Sequence, residues 1–164
     1  IAGFLEPEFK AAGKVLLDGR DITGLPANER RTGLLFQDPM LFPHMSVGEN
    51  LLFAVHGGSS QARRKLAEDA LAEAGLEGLF DRDPATLSGG QRARVALMRV
   101  LLSQPRALLL DEPFSKLDAG MKSQIRQFVF REARERGLPV LLVTHDPQDA
   151  VEAGGQCIEL GANG

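Results

Sequence analysis

The sequence has 164 residues, the length of one domain, and an ordinary globular composition of 43% hydrophobic and 25% charged residues. Its 19 Lys and Arg against 22 Asp and Glu give a net charge of −3, which argues against a nucleic-acid partner held by a strongly basic surface. A lone cysteine, Cys157, excludes a disulfide scaffold, and no apolar run approaches the roughly 18 residues of a membrane helix. We therefore expect a folded domain in a reducing cytoplasm.

The first third of the chain predicts a helix end, a hairpin and a strand. Ile1–Phe4 is typical of the last turn of a helix, with Gly3 available as its cap. Asp18-Gly19 lies between extended segments, which is a strong hairpin signal. Arg31–Phe36 predicts a buried strand, because the proline that soon follows cannot continue it.

The middle of the chain, residues 46–103, carries helix signals instead. Ser46 and Glu49 have the spacing of a capping box. Apolar residues within 61–74 recur at helical intervals before a glycine. Ser88 precedes a further helix that a proline stops near position 105. We expect a helical segment inserted in the fold.

The last third alternates short apolar runs with helices. Ala107–Leu110 and Val140–Thr144 predict two buried strands, with a helix at Met121–Arg136 between them, and Cys157–Leu160 predicts a last strand. A short helix is expected after Asp146-Pro147. Such alternation is typical of a parallel sheet covered by helices. The sequence therefore predicts an α/β fold in which residues 1–45 and 104–164 supply the sheet-containing core.

Three polar motifs are candidates for chemistry. Leu87–Gln91 contains Ser-Gly-Gly at a helix start, where free amides, the helix dipole and small residues favour an anion. Asp111 and Glu112 end an apolar strand, where one carboxylate can hold Mg²⁺ while its neighbour polarises a water. His145 ends another strand. Taken singly, each motif also fits a plain role as a helix cap, a solvated turn or a structural histidine.

These motifs and Gln37, which follows an apolar strand, occur in one known order and spacing. With them the chain resembles the nucleotide-binding subunits of ABC transporters over essentially all of its length. The resemblance implies a P-loop NTPase fold of RecA-like type, with a mainly parallel sheet and an inserted ABC α-helical subdomain at 46–103. It also implies ATP as substrate and Mg²⁺ as cofactor.

The resemblance assigns a role to each site residue. Glu112 is implied as the general base and His145 as the switch histidine, while Asp111 is the carboxylate that holds the metal. Gln37 is implied to touch both Mg²⁺ and the attacking water. The residues implied to contact nucleotide are Ser88, Gly89, Gly90, Gln91 and Asp118.

The stretch Leu41–Val47 is similar to importer ATPases that work with solute-binding proteins. The implied partners are a second nucleotide-binding subunit, integral membrane permease subunits and, indirectly, a periplasmic or extracellular solute-binding protein. The implied location is the cytoplasmic face of the membrane. Two other interpretations stay open: a soluble ABC ATPase of DNA repair or translation, and a non-enzymatic binding module.

The sequence departs from the family pattern in two respects. Lys116 replaces the usual alanine of a segment that faces the second subunit. The phosphate-binding pattern G-x-x-x-x-G-K-[ST] does not occur, since Gly13-Lys14 is followed by Val15. Ile1-Ala2-Gly3 matches the residues that follow this loop's helix in the family. We therefore expect the loop, its strand and the adenine-stacking aromatic to lie upstream, and the 164 residues alone to be inactive.

Overall fold

The computed structural model describes residues 1–4 and 12–159 of the chain. A β-hairpin is the first regular element in this part. Strands β1 (Leu16–Leu17) and β2 (Arg20–Asp21) pair antiparallel. The two residues between them, Asp18 and Gly19, have φ of 50° and 75°. Two successive positive φ values are the mark of a type I′ turn, which asparagine or aspartate followed by glycine favours. The predicted hairpin is confirmed.

A three-stranded parallel sheet forms the centre of the molecule. Its strands are β3 (Thr32–Phe36), β4 (Ala107–Asp111) and β5 (Val140–Val143), in the order β3-β4-β5. The register sets Phe36 beside Asp111, and Asp111 beside Val143. All three strands therefore end at one edge of the sheet, and the predicted parallel α/β architecture is confirmed.

Helices fill the connections between the strands. Between β3 and β4 lie α1 (Val47–Leu52), α2 (Ser60–Glu73) and α3 (Gly89–Leu102). Helix α4 (Ala119–Glu135) joins β4 to β5, and α5 (Pro147–Ala153) follows β5. Each helix begins after a side chain that accepts a hydrogen bond from the first turn, which satisfies one of its free amides. These capping residues are Ser46, Ser59, Ser88, Asp118 and Asp146.

One hydrophobic core joins the helical segment to the sheet. Leu108 and Leu110 of β4 are buried in the same cluster as residues of α1, α2, α3 and α4. Backbones approach closely where α1 meets the chain before α3: a Cβ added at Gly48 would lie 2.4–2.5 Å from ring carbons of Phe80. A larger residue at this glycine therefore has no room in the core.

A buried asparagine fixes the loop that links the sheet to α1. Asn50 is fully buried, and its Oδ1 accepts hydrogen bonds from the Phe42 amide (2.8 Å) and from Nη1 of Arg99 (3.2 Å). Its Nδ2 donates to the carbonyls of Phe42 (3.1 Å) and Ser46 (3.0 Å). Because the side chain caps both ends of the loop, residues 42–46 are held to the rigid helix.

Three local predictions are wrong. Ile1–Phe4 is not helical, although Gly3 has the positive φ of 91° that suits a cap. Strand β5 is formed, but Val140, Leu141 and Val143 are exposed, because β5 is an edge strand of the described sheet. Of the strand predicted at Cys157–Leu160, residues 157–159 form none, and Leu160 lies outside the described residues.

Candidate functional site

Several candidate residues follow the ends of neighbouring strands. Asp111 is the last residue of β4 and pairs with Phe36, the last residue of β3, so Gln37 follows directly after this pair. The backbone amide of Glu112 donates to the carbonyl of Val143 (2.9 Å), which carries the pairing with β5 one residue further. In open α/β sheets, ligands bind outside this carboxyl edge. The topology therefore brings the predicted metal and catalytic residues together.

The sharpest contact at this edge joins a carboxylate to an imidazole. Nδ1 of His145 lies 2.9 Å from Oε1 of Glu112. A carboxylate accepts, so this contact places the proton on Nδ1. Glu112 has φ of 45°, a left-handed conformation that is unusual for a residue with a side chain. The His145 side chain is 72% exposed and that of Glu112 is 35% exposed, so both face the open edge of the sheet.

The Ser-Gly-Gly-Gln motif forms the start of α3 and contains a complete capping box. Ser88 Oγ accepts from the amide of Gln91 (3.2 Å), and Gln91 Oε1 accepts from the amide of Ser88 (2.8 Å). These side-chain hydrogen bonds are those of a helix cap. The cap uses the amide at the third position, so the amides of Gly89 and Gly90 remain at the helix end as donors for an anion.

The start of α3 packs against the start of α4. A Cβ added at Gly90 would lie 2.4 Å from Sδ of Met121, and one at Gly89 would lie 3.7 Å from Leu117. Asp118 caps α4 by accepting from the Met121 amide (3.1 Å). Small residues at the motif thus permit close packing against the segment of Asp118. Among the described residues, the side-chain hydrogen bonds of the motif do not reach Glu112 or His145.

Lys116 makes a contact that sequence reasoning did not predict. Its Nζ lies 3.7 Å from Oδ2 of Asp38, the residue after Gln37. The pair connects the segments that follow β3 and β4. Both side chains are more than half exposed, so the contribution to stability is at most about 1 kcal/mol. The signal available in the sequence was the lysine itself, in place of the family's alanine.

The donors available to a metal ion suit Mg²⁺ in company with a phosphate. Within the described residues, no three His, Cys, Asp or Glu side chains gather into a metal cage. Asp111 and Gln37 are exposed and offer one carboxylate and one amide oxygen at the same edge. Mg²⁺ is commonly held by one or two carboxylates, several waters and substrate phosphates. These two residues fit that mode of binding.

A cavity of about 230 Å³ lies between the end of β3 and α3. Arg99 of α3 lines it and donates to the carbonyl of Met40 (2.9 Å). Burial lowers the pKa of the Arg99 guanidinium from its ordinary value. Sequence reasoning missed Arg99, since an arginine in a helix gives no sign of the loop it binds. The cavity is lined by Phe36, Pro39, Met40, Phe42, Arg99 and Val100, among others.

Within residues 1–4 and 12–159, no helix combines the length and the apolar composition that crossing a bilayer needs.

Comparison with solved structures identifies the class. The chain aligns with a dimeric ATP-binding cassette in a post-hydrolysis state bound to ADP and phosphate, with a TM-score of 0.69 and 35% identity over 86% of this chain and 66% of that one. It aligns with CbiO1 from Clostridium perfringens, part of the ABC transporter complex CbiONQ, with a TM-score of 0.72 and 31% identity over 88% of this chain and 59% of that one. The fold is that of an ATP-binding cassette domain of the P-loop NTPase class.

Comparison of sequences identifies the family. The family model described as ABC transporter matches residues 1–115. The chain is 53% identical to the uncharacterized ABC transporter ATP-binding protein YnjD of Escherichia coli K12, over 90% of this chain and 68% of that protein. The chain belongs to the ABC transporter family, as its motifs predicted.

Two further relatives are named for import. The chain is 46% identical to the thiamine import ATP-binding protein ThiQ of Cereibacter sphaeroides, over 92% of this chain. It is 41% identical to the Fe(3+) ions import ATP-binding protein FbpC 1 of Rhizobium meliloti, over 92% of this chain. The chain spans 64% of the length of the first protein and 43% of the second.

Proposed function

We propose that this chain belongs to the ATP-binding and ATP-hydrolysing subunit of an import system. The observation that carries the proposal is the 2.9 Å contact of His145 with Glu112 at the sheet edge that also presents Gln37 and Asp111. A base, a hydrogen-bond donor and metal ligands at one edge are the groups that phosphoryl transfer to water needs. Two relatives, ThiQ and FbpC 1, are named as import ATP-binding proteins, which supports import as the direction of transport.

Hydrolysis would proceed by in-line attack of water on the γ-phosphate. Glu112 would take the proton of that water. His145 would hold Glu112 through the hydrogen bond at its Nδ1 and so keep the base, the attacking water and the γ-phosphate in line. Asp111 and Gln37 would hold Mg²⁺, which would neutralise part of the negative charge of the phosphates when bound.

Two copies would enclose two ATP molecules. In this arrangement the α3 end of one copy, from Ser88 to Gln91, faces the nucleotide held by the other copy. The first-turn amides of α3 and the helix dipole would meet the phosphates on the side of Ser88 and the half-buried Gly89, with the buried Gly90 behind them, and Asp118 would lie at the same interface. The capping box supports this role, because it fixes the helix end before nucleotide arrives.

The 164 residues alone would not bind ATP tightly. Their sequence has no G-x-x-x-x-G-K-[ST] loop, whose amides and lysine hold phosphates. Residues 1–45 and 104–164 would form part of the nucleotide-binding core, and 46–103 the helical subdomain. Calorimetry of this chain with MgATP tests the statement, and micromolar affinity would contradict it.

The cavity beside the end of β3 would receive the membrane permease. Met40 and Phe53 are 59% and 60% exposed, and they lie on either side of the loop that Asn50 fixes. Exposed apolar groups around a preformed cavity are typical of a protein interface. Docking there would place the subunit at the cytoplasmic face of the membrane, and a solute-binding protein would act indirectly, through the permease.

Replacing Glu112 by Gln in the whole ATPase subunit tests the proposal. The amide keeps the shape but cannot take a proton, so turnover should fall by about 10²–10⁴-fold. ATP binding should persist, and an ATP-dependent dimer should be visible by size-exclusion chromatography. Glu135→Gln, an exposed carboxyl on α4, is the matched control and should leave turnover unchanged. Wild-type turnover in Glu112→Gln would overturn the assignment of the base.

A further inference from the structure

The residue before His145 is held by two buried charged groups. Thr144 Oγ1 donates to Oδ2 of Asp149 (2.7 Å) and accepts from the backbone amide of Asp146 (3.0 Å). Asp149 is 2% exposed, and its other carboxylate oxygen lies 2.6 Å from Nη2 of Arg126. The guanidinium is itself buried. A charged pair that is this well enclosed has little freedom to move, so Thr144 bonds to a fixed point.

Helix α4 anchors both neighbours of His145. Arg126 acts on Thr144 through Asp149, and Lys122 binds the carboxylate of Asp146. The His145 ring itself is 72% exposed, and among the described residues its hydrogen bond is the one to Glu112. An exposed ring gains little orientation from packing. Its direction must therefore come from the backbone on either side.

We propose that Thr144, held by Asp149 and Arg126, is a positioning residue that directs the His145 ring to Glu112. The hydroxyl serves as a clamp across the turn, since it joins the amide of Asp146 to a buried anchor. Loss of the hydroxyl frees that amide, and the turn relaxes away from Glu112. The effect on hydrolysis rests on the proposed function, whereas the ring contact does not.

The test compares Thr144→Val, which keeps the shape and deletes the hydroxyl, with Thr144→Ser, which keeps the hydroxyl. The readout is the ¹⁵N NMR spectrum of the His145 ring in this chain, recorded where the imidazole is neutral. Because a carboxylate can only accept, the wild type and Thr144→Ser should carry the proton on Nδ1. In Thr144→Val the proton should move to Nε2, as in a solvated ring.

Steady-state kinetics in the whole ATPase subunit gives the second readout. Thr144→Val should lower kcat by about tenfold with KM for ATP unchanged, and Thr144→Ser should restore kcat. A proton on Nε2 in the wild type would overturn the proposal without any variant. A proton kept on Nδ1 in Thr144→Val, even with a lowered melting temperature, would overturn it too. Absence of ATP hydrolysis in the wild-type subunit would overturn the proposed function alone, because the spectrum is read without ATP.

Discussion

Truncating Asn50 to alanine should destabilise the chain by about 3 kcal/mol. The side chain makes four hydrogen bonds of 2.8 to 3.2 Å, to Phe42, Ser46 and Arg99, and a longer fifth one to the Met45 carbonyl (3.3 Å), which shares the Nδ2 donor. At about 1 kcal/mol each the shorter ones sum to about 4 kcal/mol. The higher helix propensity of alanine returns at most about 0.7 kcal/mol. The loss is large because the groups left behind are enclosed in the loop over α1.

Urea unfolding followed by circular dichroism measures this loss. Asn28→Ala is the matched control, because Asn28 is exposed and the same atoms are removed. The control should change the free energy of unfolding by less than about 0.5 kcal/mol. A loss below about 1 kcal/mol in Asn50→Ala, or one equal to that of the control, would refute the reasoning that these hydrogen bonds fix the loop.

Two further outcomes follow from packing and charge. Gly48→Ala should lower the free energy of unfolding in urea by about 2 kcal/mol, since the new Cβ would lie 2.4 Å from the Phe80 ring. The control is Gly24→Ala, which has open space around the new Cβ and should change the free energy of unfolding little. Equal losses in the two variants would exclude overpacking as the cause. The hydrogen bond from Lys122 holds the pKa of Asp146 below its ordinary value of 3.8. The stability this gives is present above that value and is lost as the pH falls through the folded-state pKa. The melting temperatures of the wild type and Lys122→Met should therefore differ near neutral pH and converge in acid, and a constant difference would contradict the assignment.

Local signals predicted the elements well because their causes are local. The capping box at Ser46 depends on residues within one turn of helix and forms as its spacing predicts. Ser88 caps its helix as predicted, and the box that Gln91 completes there was not predicted. The Asp18-Gly19 hairpin depends on two dihedral angles. The strands and their parallel order follow from apolar runs separated by helices. For the caps and the hairpin, the residues that decide the structure are neighbours in sequence.

The errors and omissions concern contacts between distant parts of the chain. The apolar run at Val140–Val143 gives a strand, but its burial depends on what lies beside it in the sheet. The clamp of Thr144 by Asp149 and Arg126 spans α4 and α5, and no periodicity marks it. The sequence placed His145 and Glu112 in one site but did not predict the hydrogen bond between them. Its geometry required the register of the sheet.

Strand β4 is the central strand of the sheet that carries the candidate site. It is hydrogen-bonded to β3 on one side and to β5 on the other, whereas β3 and β5 do not pair with each other. Within residues 1–4 and 12–159, the backbone pairing that connects the segments of Gln37 and His145 runs through Asp111 and Glu112. A displacement of β3 or of β5 would therefore shift the site residues on that flank alone, while the pairing on the other side of β4 stays in place.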